Sequence, residues 1–232
     1  MLTFTVDLWG SRACFTPPYA KVERLSLPVP TPSALRGTLD GIYCKPAEFY
    51  WTIDEIQVLN PIRYQSCRRN ELTSKCSGAR PIDSSRTQRA MTMLTDVCYR
   101  VTATMHPRYK DVDFAKRISA QMERRLSEGK CFYQPYFGIR ECACNFAPGG
   151  YLADKTPIPV TQDFGLMTFD THVPGRNTPG NADLDLSLYH CTMVDGVIRV
   201  PDYDSPEVLK LGRVLTAGSG LSGVPKGGGR HA

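Results

Sequence analysis

The order of apolar periodicities along the first 150 positions is the feature that most limits the fold of this chain. Residues 2–8 alternate between apolar and polar side chains, which is typical of a strand that buries one face. Thr31 followed by Pro32 is a helix-start signal, and an apolar stripe at helical spacing runs from there towards Lys45. The chain therefore begins with a strand and then a helix.

A second strand follows, and its phase changes partway along. Residues 49–58 alternate in the same way, but the phase slips across Asp54 and Glu55, which predicts a β-bulge. The remaining elements predicted in this part are a strand over 97–105, a helix over 114–126 that Gly129 ends, and a strand over 137–146.

The order strand, helix, strand, strand, helix, strand predicts an α+β fold. Specifically, it predicts a ferredoxin-like (RRM-like) βαββαβ domain over residues 1–150, with both helices on one face of a four-stranded antiparallel sheet. Strands alone are predicted at 164–170, 185–194 and 197–201, and Asp195-Gly196 favours a tight hairpin between the last two. We interpret 151–215 as a small C-terminal antiparallel β-sheet packed beside the first domain, and the glycine-rich tail 216–232 as disordered.

Residues 61–89 form a basic segment with few large apolar side chains, so they cannot be core. The segment carries seven basic and two acidic residues, and its excess of five positive charges equals the net charge of the whole chain. Such an arm suits a polyanion, because guanidinium groups match phosphate oxygens and released counterions supply affinity. A solvated surface loop is the alternative. The basic residues are Arg63, Arg68, Arg69, Lys75, Arg80, Arg86 and Arg89.

The cysteines and the lack of a long apolar run indicate a reduced, cytoplasmic location. The amino terminus alternates like a strand rather than like a signal peptide, and nine scattered cysteines are an odd number for disulfide pairing. Structural zinc sites usually present cysteine pairs separated by two to four residues. The one conceivable set lacks such a pair, so we predict no metal and no cofactor; the set is Cys67, Cys76, Cys142 and Cys144.

Antiparallel helices would bring the end of the first helix to the start of the second. Tyr43 and Lys45 would then share a rim with Lys116 and Arg117, where cations could stabilise the charge that forms when a ribose 2′-hydroxyl attacks the adjacent phosphate. The same residues could equally be an ordinary helix-end tyrosine and a solvated basic pair. His106, at the end of the third strand, is either an acid or base near this rim or a histidine exposed to water.

Several sequence blocks in order resemble one known family. SALRGTLDGIYCKP, IDEIQVLNPIRY, CRRNE, RTQRA, FAKRISAQMERRLSEGKCFYQPYFGIREC and MVDGVIRVP are similar to the CRISPR-associated Cas-five family, subtype I-C (Dvulg-type), within the repeat-associated RNA-binding superfamily. The resemblance covers most of residues 1–201. It implies a ferredoxin-like amino-terminal domain and a small carboxy-terminal sheet.

The resemblance also implies an activity and its residues. Family members are metal-independent endoribonucleases that cut precursor CRISPR RNA at the base of the repeat hairpin and stay on the 5′ handle within the type I-C interference (Cascade) complex. Tyr43 and Lys116 match two members of the catalytic set, while Arg117 stands where the family has histidine. Arginine stays protonated and can hold a phosphate, but it cannot be a general base. Tyr43 or Lys116 could replace that base if neighbouring cations lowered its pKa.

These expectations leave three functions to compare. The first is the endoribonuclease, the second a non-catalytic or weakly catalytic subunit that binds the RNA handle, and the third a binder of duplex DNA. We predict CRISPR RNA and other complex subunits as partners, with target DNA reached only through the complex. The predicted RNA-binding residues are Arg36, Lys45, Arg63, Arg68, Arg69, Arg86, Arg89 and Arg140. Four aromatic residues could stack on bases or pack in the core: Tyr64, Phe132, Tyr133 and Tyr136.

Overall fold

The computed structural model describes residues 2–17, 20, 24–72, 86–172 and 184–214. The helices are α1 (Pro32–Ile42) and α2 (Val112–Glu128). The strands are β1 (Leu2–Ala13), β2 (Arg24–Leu25), β3 (Phe49–Val58), β4 (Tyr64–Leu72), β5 (Arg86–Pro107), β6 (Asn145–Pro148), β7 (Gln162–Asp170), β8 (Leu184–Val194), β9 (Val197–Arg199) and β10 (Val208–Val214). The predicted tail 216–232 and the middle of the basic segment lie outside the described residues.

The fold is α+β, as predicted, and its strands form one sheet. The path through the sheet is β10-β8-β9-β3-β5-β1-β6, with β2 and β4 also paired to β5 and β7 paired to β8. Each of these pairs is antiparallel except the short pair between β2 and β5. Among the described residues, neither helix is long and apolar enough to cross a membrane.

Both helices bury their apolar stripes in one continuous core with the inward side chains of β1, β3 and β5. Thr31 caps α1 through its hydroxyl, and Gly129 ends α2 in the left-handed region, so both predicted helix signals are confirmed. The helices contribute Leu35, Leu39, Ile42, Phe114, Ile118, Met122 and Leu126; the sheet contributes Val6, Leu8, Trp51, Ile56, Val101 and Met105.

Two local predictions in the strands are confirmed. The register between β3 and β5 shifts between Ile53 and Glu55, where the phase slip indicated a bulge. Asp195 and Gly196 both have positive φ, 48° and 76°, and join β8 to β9 as a two-residue turn.

The predicted fourth strand over 137–146 is wrong in extent, because β6 begins only at Asn145. The preceding residues turn back on themselves: Phe137 and Cys142 are joined by a backbone hydrogen bond of 2.8 Å. Gly138 has a φ of 80°, and a side chain there would stand 2.0 Å from the carbonyl oxygen of Cys14. Cys142 and Cys144 are buried, and they lie in and just after this turn.

The predicted separate C-terminal sheet is also corrected. Strand β9 pairs with β3, with Ile56 opposite Ile198, so β7 to β10 extend the first sheet instead of packing beside it. This pairing satisfies an edge of β3 that would otherwise present unpaired backbone groups. The division of the chain at residue 150 stays a prediction.

Candidate active site and nucleic-acid interface

Tyr43 lies at the end of α1, where its ring is held from two sides. It is the C-cap residue of the helix, and its ring centroid is 4.8 Å from that of Phe49 at the start of β3. The guanidinium carbon of Arg125, from α2, lies 5.0 Å from the centre of the Tyr43 ring. The side chain is only 4% exposed. Three elements therefore fix this ring.

The Tyr43 hydroxyl remains available although the ring is buried. It has no hydrogen-bond partner among the described residues, and it is not among the buried polar atoms that lack a partner, so it reaches water. Burial raises the pKa of Tyr43 above 10, and this outweighs the lowering by Lys45, Arg125 and Arg117. The idea that cations turn Tyr43 into a base is therefore wrong, because the phenol stays protonated at neutral pH.

The predicted cations take different positions around Tyr43. Lys45 pairs with Glu48 at 2.7 Å, and this hydrogen bond raises the pKa of Lys45. Arg117 lies close enough to act electrostatically on both Tyr43 and Lys45. Lys116 is on the adjacent side of the first turn of α2, 75% exposed and 3.8 Å from Asp113. The rim thus collects Lys45, Arg117 and Arg125 around the phenol, with Lys116 beside them; a direct contact of Lys116 with Tyr43 stays a prediction.

Arg125 is a further residue of the rim that the sequence patterns did not single out. Its Nη1 donates a 2.7 Å hydrogen bond to the carbonyl of Ile42 at the end of α1. The spacing along α2 could have indicated it, because residues four apart share one helix face and Arg125 follows Arg117 and Gln121 at this spacing. Arg108 was missed too: it donates to the Pro46 carbonyl at 2.7 Å and so lies at the same end of the sheet.

The basic segment 61–89 is a two-stranded ribbon where it is described, formed by β4 and the start of β5. Arg68 lies opposite Ala90 and is exposed, and the pair of Leu72 with Arg86 shares that outer face. Arg69 lies opposite Arg89 on the other, partly buried face.

The inward arginines of the ribbon are paired with carboxylates. Arg69 makes a bidentate ion pair with Glu141, with N–O distances of 2.5 and 2.8 Å, and Arg89 lies 3.5 Å from Glu71. These two predicted RNA-binding residues therefore also hold the ribbon in place. Among the described residues Arg68 has no ion pair, and Arg63 is exposed near the base of the ribbon.

The other two predicted RNA-binding residues also differ from each other. Arg36 donates from Nη2 to Asp170 at 2.8 Å and links α1 to β7. Arg140 is exposed in the turn after Gly138, near enough to Tyr133 to act on its pKa. Arg140 is therefore available to an RNA phosphate, while Arg36 has a structural partner.

His106 lies on the face of the sheet opposite to Tyr43. Its ring stacks on Tyr50 at 4.8 Å, and its Nε2 is 2.8 Å from the hydroxyl of Thr52. Tyr50 and Phe49 are successive residues of β3 and point to opposite faces, and Phe49 is the one in contact with Tyr43. Burial lowers the pKa of His106. This geometry does not favour His106 as an acid or base for a reaction at the rim.

Three of the four aromatic residues that could stack on bases form a row along α1. Phe132 is 66% exposed and Tyr133 is 40% exposed, and their ring centroids are 5.7 Å apart. Tyr136 continues the row at 6.2 Å from Tyr133. Tyr64, on the ribbon, is also exposed. Phe132, Tyr133 and Tyr64 are therefore exposed enough to stack on a base, and Tyr136 is partly exposed.

The described residues contain no group of three or more histidine, cysteine, aspartate or glutamate side chains placed to hold a metal ion. Cys76, one member of the conceivable zinc set, lies outside the described residues. Burial raises the pKa of Cys142 to about 11 and that of Cys144 further, so both are held as neutral thiols.

The geometry defines an α+β protein with a protonated phenol in a cationic rim and a basic ribbon at the side. A family model described as CRISPR-associated protein (Cas_Cas5) matches residues 3–201. The chain therefore belongs to the Cas5 family of CRISPR-associated proteins, in its Cas5d branch, as its sequence blocks indicated.

Relatives and solved structures agree with this assignment. A protein of Mannheimia succiniciproducens named CRISPR pre-crRNA endoribonuclease Cas5d is 39% identical over 229 residues, covering 88% of this chain and 96% of that protein. One of the same name from Thermus thermophilus is 35% identical over 224 residues, covering 91% and 96%. The crystal structure of a CRISPR-associated protein matches with a TM-score of 0.62 and 25% identity, covering 90% of this chain and 96% of that one.

The half-buried carboxyl of Asp40 on α1 makes stability depend on pH. Burial raises its pKa to about 6, and Asp170 adds to this, although Arg36 opposes it. The folded protein therefore binds the Asp40 proton more tightly than the unfolded chain does, and stability falls as pH rises from about 4 through 6. We expect Asp40→Asn to stabilise the protein by about 2 kcal/mol at pH 8, since a tenfold change in proton affinity is worth roughly 1.4 kcal/mol and some contact with water remains.

Urea unfolding between pH 4 and pH 8 checks this expectation. The gain from Asp40→Asn should vanish near pH 4, while Asp204→Asn, at an exposed position, should change little at any pH. A gain of equal size at all pH values would contradict the assignment.

The outer face of the ribbon should carry a large share of RNA affinity if it meets phosphate. Arg68→Ala should weaken binding of a labelled repeat hairpin and make the slope of log K against log salt shallower by about 0.7 to 0.9, because one phosphate contact releases that many counterions. Arg199→Ala, which removes an exposed charge on β9, is the matched control. An unchanged slope for Arg68→Ala would exclude Arg68 from the interface.

Proposed function

We propose that this protein is a metal-independent endoribonuclease that cuts precursor CRISPR RNA at the base of the repeat hairpin. It then stays on the 5′ handle, together with other subunits of the type I-C interference complex. The observation that carries the proposal is the protonated phenol of Tyr43, which reaches water between the cations of Lys45, Arg117 and Arg125. The names of relatives at 39% and 35% identity support the same substrate and reaction.

We infer that the part of the chain from β1 to β6 is a ferredoxin-like unit. The strand order β6-β1-β5-β3, with α1 between β1 and β3 and α2 between β5 and β6, supports this inference. In such a unit the end of the first helix and the start of the second lie at one end of the sheet. The end of α1 also contacts the last turn of α2 through Arg125, so the proposed rim runs along the face of α2 from Lys116 and Arg117 to Arg125. We propose that the scissile phosphate lies between Tyr43 and Lys116.

The reaction that fits this rim is an internal transesterification. The ribose 2′-oxygen attacks the adjacent phosphorus, the bond from phosphorus to the 5′-oxygen breaks, and a 2′,3′-cyclic phosphate and a 5′-hydroxyl result. The extra negative charge on the phosphorane is stabilised by the basic side chains of Lys116, Arg117 and Arg125. The phenol of Tyr43 donates a hydrogen bond to a phosphate oxygen or to the leaving 5′-oxygen.

The proton of the 2′-hydroxyl goes to solvent in this scheme, and the leaving 5′-oxygen takes a proton from solvent to become the 5′-hydroxyl. Arg117 cannot accept it, and Tyr43 already holds its own proton because burial raises its pKa. His106, the histidine at this end of the sheet, is on the other face. In this scheme Lys116 acts as a cation and not as the base that the sequence left open. The rim then contributes charge stabilisation and hydrogen bonding, and proton removal follows the hydroxide concentration.

A second candidate function follows from the same observation. A rim without a group that titrates near neutral pH can hold RNA well and cut it slowly, which would make the protein mainly a structural, handle-binding subunit. Arg117, at the position where the resemblance implies histidine, favours this alternative. The rate of cleavage, compared with the affinity for the same RNA, separates the two.

Single-residue changes at the rim test the proposal. With labelled repeat RNA in EDTA, Lys116→Ala and Tyr43→Phe should each slow cleavage by about 100-fold, the usual cost of one lost charge-stabilising donor. Affinity should fall far less, because many other phosphate contacts remain. Arg117→His should raise the rate by supplying a base with a pKa near neutral.

Lys210→Ala, which removes an exposed lysine from β10, is the control and should cut like the unmodified protein. Cleavage that disappears in EDTA would refute the metal-independent scheme. Strong hairpin binding without any cleavage would leave only the structural role.

A further inference from the structure

A cavity of about 390 Å³ opens between α1, the turn after Tyr136 and strand β7. Its walls are largely apolar, but hydroxyl groups line it on two sides. The hydroxyl-bearing residues of the lining are Thr31, which caps α1 and contacts Ser33, together with Ser33, Thr168 and Thr171; the apolar walls come from Phe15, Leu27 and Ile139. An apolar slot with a few hydrogen-bonding groups at its edge suits a planar heterocycle.

One fixed cation lines this cavity. The guanidinium of Arg36 is held by its Nη2 bond to Asp170, a carboxylate that also accepts from the backbone N–H groups of Thr171 and His172. Within the described residues its Nη1 has no partner. Arg36, a predicted RNA-binding residue, therefore lines the cavity and also a smaller pocket beside Asp170, and its pairing with Asp170 uses only Nη2.

The aromatic row connects the rim to the cavity. The backbone N–H of Phe132 donates to the carbonyls of Gly41 and Ile42, next to Tyr43. The hydroxyl of Tyr133 donates to the carbonyl of Gly37, one turn back along α1. Tyr136 completes the row and is itself a wall of the cavity. The three rings thus follow α1 from its end to the cavity.

We propose that this cavity binds one unpaired nucleobase of the RNA whose phosphodiester lies at the rim, while Phe132 and Tyr133 stack on the nucleotides between. This inference rests on the proposed function, because it needs RNA at Tyr43. Unpaired bases are recognised by stacking on aromatic side chains and by hydrogen bonds to their edges, and the row and the cavity supply these two interactions in sequence.

A substitution at Gly37 can fill the cavity without disturbing the backbone of α1. It lines the cavity, and a Cβ at this helical position meets no atom within 4 Å, so larger residues fit the backbone. Gly37→Phe would fill the space with a ring, whereas Gly37→Ala adds a single methyl group and leaves room for a base. Two RNA probes are compared: a repeat hairpin with its unpaired flanks, and the same hairpin trimmed to its paired stem and loop.

Gly37→Phe should weaken binding of the flanked hairpin by about tenfold, the value of stacking and bonding one base, while its affinity for the trimmed hairpin stays within about twofold of the unmodified protein. Gly37→Ala should lose less than about twofold on the flanked hairpin. Single abasic substitutions along the flank should reveal one position that matters in the unmodified protein and no longer matters in Gly37→Phe.

Two results would overturn the proposal. One is that Gly37→Phe binds the flanked hairpin normally; the other is that it weakens both probes equally, with circular dichroism showing an intact fold. If the unmodified protein binds neither probe, the proposed function itself fails. If it binds the flanked hairpin preferentially but never cuts it, the cavity stands and only the nuclease assignment falls.

Discussion

The burial of one tyrosine ring at the end of α1 is the interaction on which the rest of the site depends. Tyr43 packs on Phe49 of β3 and beneath Arg125 of α2, so a single side chain joins both helices to the sheet. The same burial raises the pKa of its phenol against the effect of three nearby cations. In the proposed reaction this burial favours the phenol as a hydrogen-bond donor over the phenol as a proton acceptor.

The outer face of the sheet explains why RNA is directed to the helix side. Strands β1, β3 and β5 present hydroxyls and carboxylates there, and Asp54 bridges the hydroxyls of Thr52 and Thr104. The carboxylate of Asp7 pairs with Arg100 and accepts a hydrogen bond from the backbone N–H of Leu152, in the loop after β6. The carboxylates of this face are thus already engaged, whereas the rim and the ribbon carry the exposed cations that suit a polyanion.

Local patterns predicted much of the fold, because their causes are local. The cap at Thr31, the bulge near Asp54 and the turn at Asp195-Gly196 each depend on a few neighbouring residues, and all three are present. The late start of β6, after the turn at Gly138, and the pairing of β9 with β3 depend on residues distant in sequence, such as Cys14, and no periodicity encodes them.

In the candidate site, too, features that depend on neighbouring residues were predicted, and features that depend on tertiary packing were not. The sequence predicted that Tyr43 lies beside Lys116 and Arg117 at the start of α2, and that placement stays a prediction. The direct contacts at the end of α1 come from Arg125 in the last turn of α2, while Arg117 acts on Tyr43 electrostatically. The sequence did not predict that desolvation would outweigh those cations, since burial of a helix-end ring is a property of the packed molecule. Nor did it separate the outward Arg68 from the inward Arg69, because that depends on the register of the ribbon.

The pH dependence of single-turnover cleavage in EDTA tests the central claim most directly, since it reports which group removes the 2′-hydroxyl proton. If the rim acts only through a protonated phenol and permanent cations, the rate should rise about tenfold per pH unit from pH 6 to 9 without a plateau. A rate that levels off near pH 6.5 to 7 would show that a histidine accepts the proton. That result would contradict the account of Tyr43 and its cationic rim.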